Sequence, residues 1–400
     1  MSETMSLSSL NKPPKFFISA GEASSDAHAA GVIREIRAIH PEASFHGLGG
    51  PQMAEAGCNL LENMVDKSAM LHHVLGKLGW YRAIHRKTVD WLDAEKPDAL
   101  ITVDSFDGNM FLIWAAHKRR IPVLIFVAPQ LWAWFPARSW LIRKAGARVA
   151  SILPFEQEWY SKRGISVEFV GHPLFDDYVP PESPSESYST TLPKDVKQHI
   201  DPTPTVALLP GSRMHELEYH WPVLQQIAWR IRQRYAEARF LTSALSEQQS
   251  QWLKENGDPM LGIEISCKSL EEVVGQSQLA VLSSGTATLQ VAKQGCPMVV
   301  IYHIPSILWA LLGRTLITTP YLCIVNILAQ RELVPEFMPV GGRLAEAADK
   351  AIGLLESTSR CDKMRSELLA LCETLCRPNP AGQVAQMATD MIKTENGSNG

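Results

Sequence analysis

The chain lacks any run of about 20 apolar residues, the length a bilayer-spanning helix requires, so no membrane span is expected in its 400 residues. Cysteine is scarce and odd in number, with seven scattered at 58, 267, 296, 323, 361, 372 and 376. That usage argues against a disulfide framework and reads as free thiols in a reducing cytoplasm. Cys372 and Cys376 have no further Cys or His pair to complete a zinc set. The string from His215 to His220 places its histidines five apart, about 140° around a helix, whereas helical zinc ligands share a face at a spacing of four. Excess charge is also missing: a net charge of −4 leaves no footprint for a nucleic-acid partner. No Gly-Lys-Ser/Thr closes a glycine-rich turn, which excludes a Walker loop. Residues 1–14 are polar and Ser-rich, without the charged start and apolar stretch of a secretory signal, and read as a disordered tail.

What is present is apolar content of 46% over a length too great for one ordinary core, so two globular domains are expected. Short apolar runs at 16–18, 44–49, 99–103, 123–127, 151–153 and 169–170 alternate with helical stretches, and the pattern resumes at 206–209, 238–244, 279–282 and 298–302. Strands alternating with helices predict an α/β fold with doubly wound parallel sheets, whose ligands sit beyond the carboxyl ends of the strands. The Pro-, Ser- and Glu-rich stretch 180–204 reads as a linker between domains at 15–179 and 205–345. Helices across 346–393 are expected to pack back on the first domain, and 394–400 to be disordered.

Three strand ends carry candidate chemistry. VALLPGSR (206–213) reads as strand, turn and helix start. Its Gly211 lets the backbone approach a ligand, the amides near Ser212 suit a phosphate, and Arg213 adds a fork of charged donors. The same string also describes an ordinary strand-to-helix turn with a surface arginine. Gly285, Thr286, Ala287 and Thr288 follow the strand at 279–282 and form a second candidate cradle of backbone N–H groups. Asp104, Asp107 and Asn109 crowd the end of the strand at 99–103; a carboxylate there suits a general base, or caps the next helix. Trp132 and Trp134 suggest a binding wall. The stretch 64–81 reads as a core helix with a solvated face, or as a surface dipping into a membrane interface, and 304–317, too short to span a bilayer, is a second candidate for such a surface.

Taken together, GEASSDAH (21–28), VDSFDGN (103–109), VAPQLWAW (127–134), LPFE (153–156), VGHPL (170–174), LLPGSR (208–213), SSGTATLQ (283–290) and NILAQREL (326–333) resemble the lipid-A-disaccharide synthase family, in that family's order and across roughly residues 15 to 380. The resemblance implies a GT-B glycosyltransferase of two Rossmann-like parallel-sheet domains facing a cleft, with acceptor-side residues in the first and the nucleotide held mainly by the second. It implies an inverting transfer from UDP-2,3-diacylglucosamine to 2,3-diacylglucosamine 1-phosphate with loss of UDP, in lipid A biosynthesis. No metal or organic cofactor is implied. The matching positions are Asp107 as base with Asp98 in support; Arg213, Gly211, Ser212, Gly285, Thr286, Ala287, Thr288, Gln290 and Asn326 on the nucleotide side; and Glu22, Ser24, Asp26, Trp132 and His172 on the acceptor side. Acylated substrates imply a cytoplasmic protein held peripherally at the inner membrane, with cations such as Lys77, Arg82, Arg86 and Arg314 toward anionic headgroups; a homodimer is compatible with this reading. Departures from the family pattern are Ser25 and Ala29 in place of glycine, Gln290 in place of glutamate, and Phe106 and Gly108 beside Asp107. Two rivals remain at this level: another UDP-sugar GT-B enzyme, transferase or epimerase, and a non-catalytic lipid or nucleotide binder on the same scaffold.

Overall fold

The computed structural model describes residues 12–65, 74–104, 106–133, 135–179, 203–267, 269–302, 319–337, 340 and 342–398, with the side chains of 74–78, 106–107 and 394–398 outside that description. The chain divides into two compact units, one built from 1–176 with 377–400 and the other from 177–376.

The first unit carries seven strands: β1 Lys15–Ala20, β2 Ser44–Gly49, β3 Asn59–Asn63, β4 Ala99–Val103, β5 Val123–Phe126, β6 Arg148–Ser151 and β7 Val167–Phe169. They pair in the order β3-β2-β1-β4-β5-β6-β7, every pairing parallel. Such a sheet is covered on both faces, so its central strands are buried at nearly every position rather than at alternate ones. In β1, Phe16 and Ile18 join one core with Ala29 and Ile33 of the Ala23–Ile39 helix, while Phe17 faces the other with Leu92 and Ile113. Order reverses between β1 and β4, and at such a switch point the loops leave the sheet in opposite directions and open a crevice.

The second unit repeats the plan with β8 Thr205–Leu209, β9 Arg239–Ser243, β10 Glu264–Ser266, β11 Leu279–Ser283, β12 Met298–Ile301 and β13 Glu336–Phe337, in the order β10-β9-β8-β11-β12-β13. Its switch point lies between β8 and β11.

The expectation that 346–393 returns as a block to the first domain needs correction. The Leu344–Leu355 helix packs on Met214–Arg234, and Thr358–Glu373 on Ala287–Lys293, all in the second unit. Only the last helix, Pro380–Ser398, crosses back to lie on Ala23–Ile39. It buries Val384, Ala385, Ala388, Met391 and Ile392 in the first unit's core, and Gly31 lets it approach until a Cβ there would touch Ala381 at 3.5 Å. Short strands β3, β10 and β13 escape periodicity because they are edge pieces of two to five residues. Much of the 64–81 stretch (66–73) and all of 304–317 lie outside the described residues, as do Trp134 and the side chain of Lys77.

Candidate functional site

In the first unit the polar groups converge at the carboxyl ends of β1, β4 and β5. Ser19 Oγ donates to Asn109 Oδ1 at 2.7 Å, Asn109 Nδ2 donates to the Asp104 carbonyl at 2.8 Å, and the Asp104 amide donates to the Phe126 carbonyl at 2.9 Å. Asp104 sits at a φ of 52°, a left-handed conformation that Asp tolerates better than most residues. Its exposed side chain is thereby aimed from a fixed backbone. The Phe106–Lys118 helix begins two residues later, so Asp107 occupies its first turn; the Asp107 side chain lies outside the described residues. His28, from the helix after β1, stacks edge-on against Phe126 with ring centroids 6.0 Å apart. Burial lowers its pKa against the opposing pull of Asp104. His172 is pushed down to about 4, by burial first and by His28 second, so it is neutral near pH 7. Its Nδ1 accordingly accepts from the Leu174 amide at 3.1 Å.

The 127–133 loop is pinned over this edge. Trp132 Nε1 donates to Glu156 Oε1 at 2.9 Å, the Leu153 amide donates to Glu156 Oε2 at 3.3 Å, and Tyr160 Oη donates to the Pro129 carbonyl at 2.5 Å. Val127 is held at a φ of 63°, a strained state for a β-branched residue. Glu156 is fully buried, and burial pushes its pKa up to about 8 against the pull of Trp132 and two backbone amides. Between 4.5 and about 8 the folded chain keeps a proton that the unfolded chain has released, so stability falls as pH rises through that window. Glu156→Gln keeps one acceptor oxygen, exchanges the other for an amide donor and removes the titration. Its melting temperature relative to the parent chain is therefore expected to rise between roughly pH 5 and pH 8; a constant difference in thermal melts would exclude Glu156 as the titrating group.

In the second unit, Pro210, Gly211, Ser212 and Arg213 turn from β8 into the Met214–Arg234 helix, with Arg213 at the N-cap. Gly285 follows β11 at a φ of 158°, and Thr286 caps the Ala287–Lys293 helix. Its first amides to find partners are those of Thr288, to the Gly285 carbonyl, and Leu289 and Gln290, to the Thr286 carbonyl. Thr288 Oγ1 also donates to the Gly285 carbonyl at 2.7 Å. Gly285 and Thr286 are exposed, so this turn keeps the free helix-end amides that suit an anion.

A family model described as lipid-A-disaccharide synthetase matches residues 16–387. The chain is 32% identical to the lipid-A-disaccharide synthase of Geobacter sulfurreducens, covering 94% of this chain and 98% of the relative. It is 31% identical to that of Syntrophotalea carbinolica, covering 96% and 97%. The chain belongs to the lipid-A-disaccharide synthase family. Solved structures with the same fold include a putative UDP-N-acetylglucosamine 2-epimerase from Listeria monocytogenes, with a TM-score of 0.58 and 13% identity over 96% of each chain. Another is MurG of Acinetobacter baumannii, with a TM-score of 0.57 and 13% identity over 95% of this chain and all of that one. The fold is GT-B, and this synthase family member is a glycosyltransferase, a hexosyltransferase of lipid A biosynthesis.

Several residues matched to the synthase pattern are placed elsewhere than the match implies. Asp98 precedes β4, at the opposite end of that strand from Asp104 and Asp107; it accepts from the Lys15 amide at 2.7 Å. There it lines a cavity of about 360 Å³ together with Arg119 and Arg120, and the five residues of β4 separate it from the Asp104 end. Asp26 is buried, its carboxylate accepting from the Gly50, Gln52 and Met53 amides. It caps the Pro51–Glu55 helix instead of facing an acceptor. Trp132 is buried against Phe155 and forms no open wall. Asn326 is wholly buried: its Oδ1 accepts from the Leu333 and Val334 amides, and its Nδ2 donates to the Val334 carbonyl and to Glu336 Oε2. That leaves it organising the turn before β13, with no donor directed to a nucleotide. Glu22 and Ser24 stay exposed at the start of the Ala23–Ile39 helix, and Gln290 reaches Glu271 at 3.4 Å. Ser25 and Ala29 lie inside that first helix with ordinary negative φ, so the missing glycines strain nothing.

Proposed function

We propose that this chain transfers the sugar of UDP-2,3-diacylglucosamine to a hydroxyl of 2,3-diacylglucosamine 1-phosphate, with inversion at the anomeric carbon. The carrying observation is the match to the synthase family over residues 16–387, joined to carboxylates and an anion-suited turn at the strand ends where this fold places ligands. Asp107 takes the proton as the acceptor oxygen attacks the anomeric carbon. The bond to the diphosphate breaks, and UDP leaves with its added negative charge facing Arg213 and the Gly285–Ala287 amides. Asp104 stands three residues before Asp107, at the same strand end. Charge on the leaving group is met by a guanidinium and helix-end amides, so the reading calls for no metal or organic cofactor.

Both substrates carry acyl chains, so the reading includes peripheral attachment to the inner membrane. Tyr81, Arg82 and Arg86 are exposed along one helix, Val74–Glu95, and each cation near an anionic surface contributes about 1 kcal/mol. No helix among the described residues is long and apolar enough to cross a membrane. The test is UDP release by the purified chain, which is expected only when both acylated partners are present. Equal release from the donor alone would make the protein a hydrolase, and release with unacylated sugars would make it a different UDP-sugar transferase.

A further inference from the structure

The turn 210–213 was the first candidate for a backbone phosphate cradle, yet its polar backbone is already engaged within its own unit. The Pro210 carbonyl meets His220 Nδ1 at 3.0 Å, and the Ser212 carbonyl accepts from Gln249 Nε2 at 2.6 Å. The Ser212 and Arg213 amides both donate to Glu216 Oε2, at 2.8 and 3.1 Å. Gly211 sits at a φ of 122°, and a Cβ there would collide with the same carboxylate. Glu216 therefore occupies the concave side of the turn, at the positive end of the Met214–Arg234 helix, where an anionic ligand would otherwise lie.

Its second oxygen has another neighbour. Glu216 Oε1 lies 3.9 Å from Arg213 Nη1. The arginine is the N-cap residue, with extended backbone at φ −104° and ψ 146°, so the carboxylate that anchors its amide also faces its guanidinium. A diphosphate seated on these amides would have to displace two charge-assisted hydrogen bonds and an adjacent ion pair. A diphosphate met by the Arg213 side chain, which is 58% exposed, displaces neither.

We propose that Glu216 is a positioning residue that aims Arg213, and that this turn meets the leaving diphosphate through the Arg213 side chain and not through its backbone amides. His220 and Gln249 complete the pedestal by holding the two carbonyls. The proposal rests on the role given to Arg213 above.

The experiment compares Glu216→Gln, Arg213→Ala and the double variant in kcat/KM for the UDP-sugar, UDP affinity and melting temperature. Glutamine keeps an acceptor for the amides and removes the charge facing Arg213. Glu216→Gln is expected to lower kcat/KM by about ten-fold with little change in melting temperature, and to add nothing in the Arg213→Ala background. Multiplying effects in the double variant would overturn the proposal, since Glu216 would then act independently of Arg213. Tighter UDP binding by Glu216→Gln would also overturn it, because the carboxylate would then be competing with phosphate for the amides. Unchanged kinetics in Arg213→Ala alone would instead remove the role of Arg213 itself, and the proposal with it.

Discussion

Asp107→Asn is expected to lower turnover by about 10²–10⁴-fold, the usual contribution of a positioned general base, while UDP affinity stays close to that of the parent chain. Asparagine keeps the size and the helix position and loses only basicity. The expectation rests on where the helix starts. Asp107 is in the first turn of Phe106–Lys118, directly beyond β4, and the preceding Asp104 is held by its amide donating to the Phe126 carbonyl and by Asn109 donating to its own carbonyl. Steady-state kinetics with both substrates saturating, together with calorimetric titration of UDP, would check it. Near-normal turnover would transfer the role to Asp104, whose exposed carboxylate lies at that strand end, ahead of Asp98, which lies at the other end of β4.

Arg213→Ala is expected to cost about 2–4 kcal/mol of transition-state stabilisation, comparable to the loss of one donor aimed at developing negative charge. That corresponds to roughly 30- to 1,000-fold in kcat/KM. The loss should fall on kcat as well as kcat/KM, since charge on the diphosphate grows as the bond breaks. Arg213→Lys should recover only part of it, because a single ammonium cannot reproduce the planar fork. A loss confined to KM would place Arg213 in ground-state binding of the nucleotide instead.

The strands that frame both edges were legible because burial on both faces leaves a local record: β1, β4, β8 and β11 are near-continuous apolar runs closed by small or polar residues. The turns were legible for the same reason, since Gly211 and Gly285 stand where the backbone takes positive φ. Residue roles were less so. Asp26, Asp98 and Asn326 have the right side chains at motif positions, but a carboxylate or amide that accepts backbone N–H groups looks the same in a sequence as one that faces a ligand. Asp26 and the amides that donate to it are 24 to 27 residues apart, and Asp98 and Lys15 are 83 apart. Ser19 and Asn109, 90 residues apart, were not paired by any local signal. Glu156 passed as part of a motif because its partner, Trp132, arrives from another loop.

The sequence by itself therefore determined the two parallel-sheet halves and the family, since each of these follows from short-range pattern and residue type. Tertiary structure alone decided which carboxylates are already engaged, at which end of β4 Asp98 lies, that Glu216 fills the turn before Arg213, and that only the helix Pro380–Ser398 returns to the first unit. The physical reason is that a polar group's availability depends on whether another group has satisfied it. That partner is chosen by packing across tens of residues, and no local pattern encodes it.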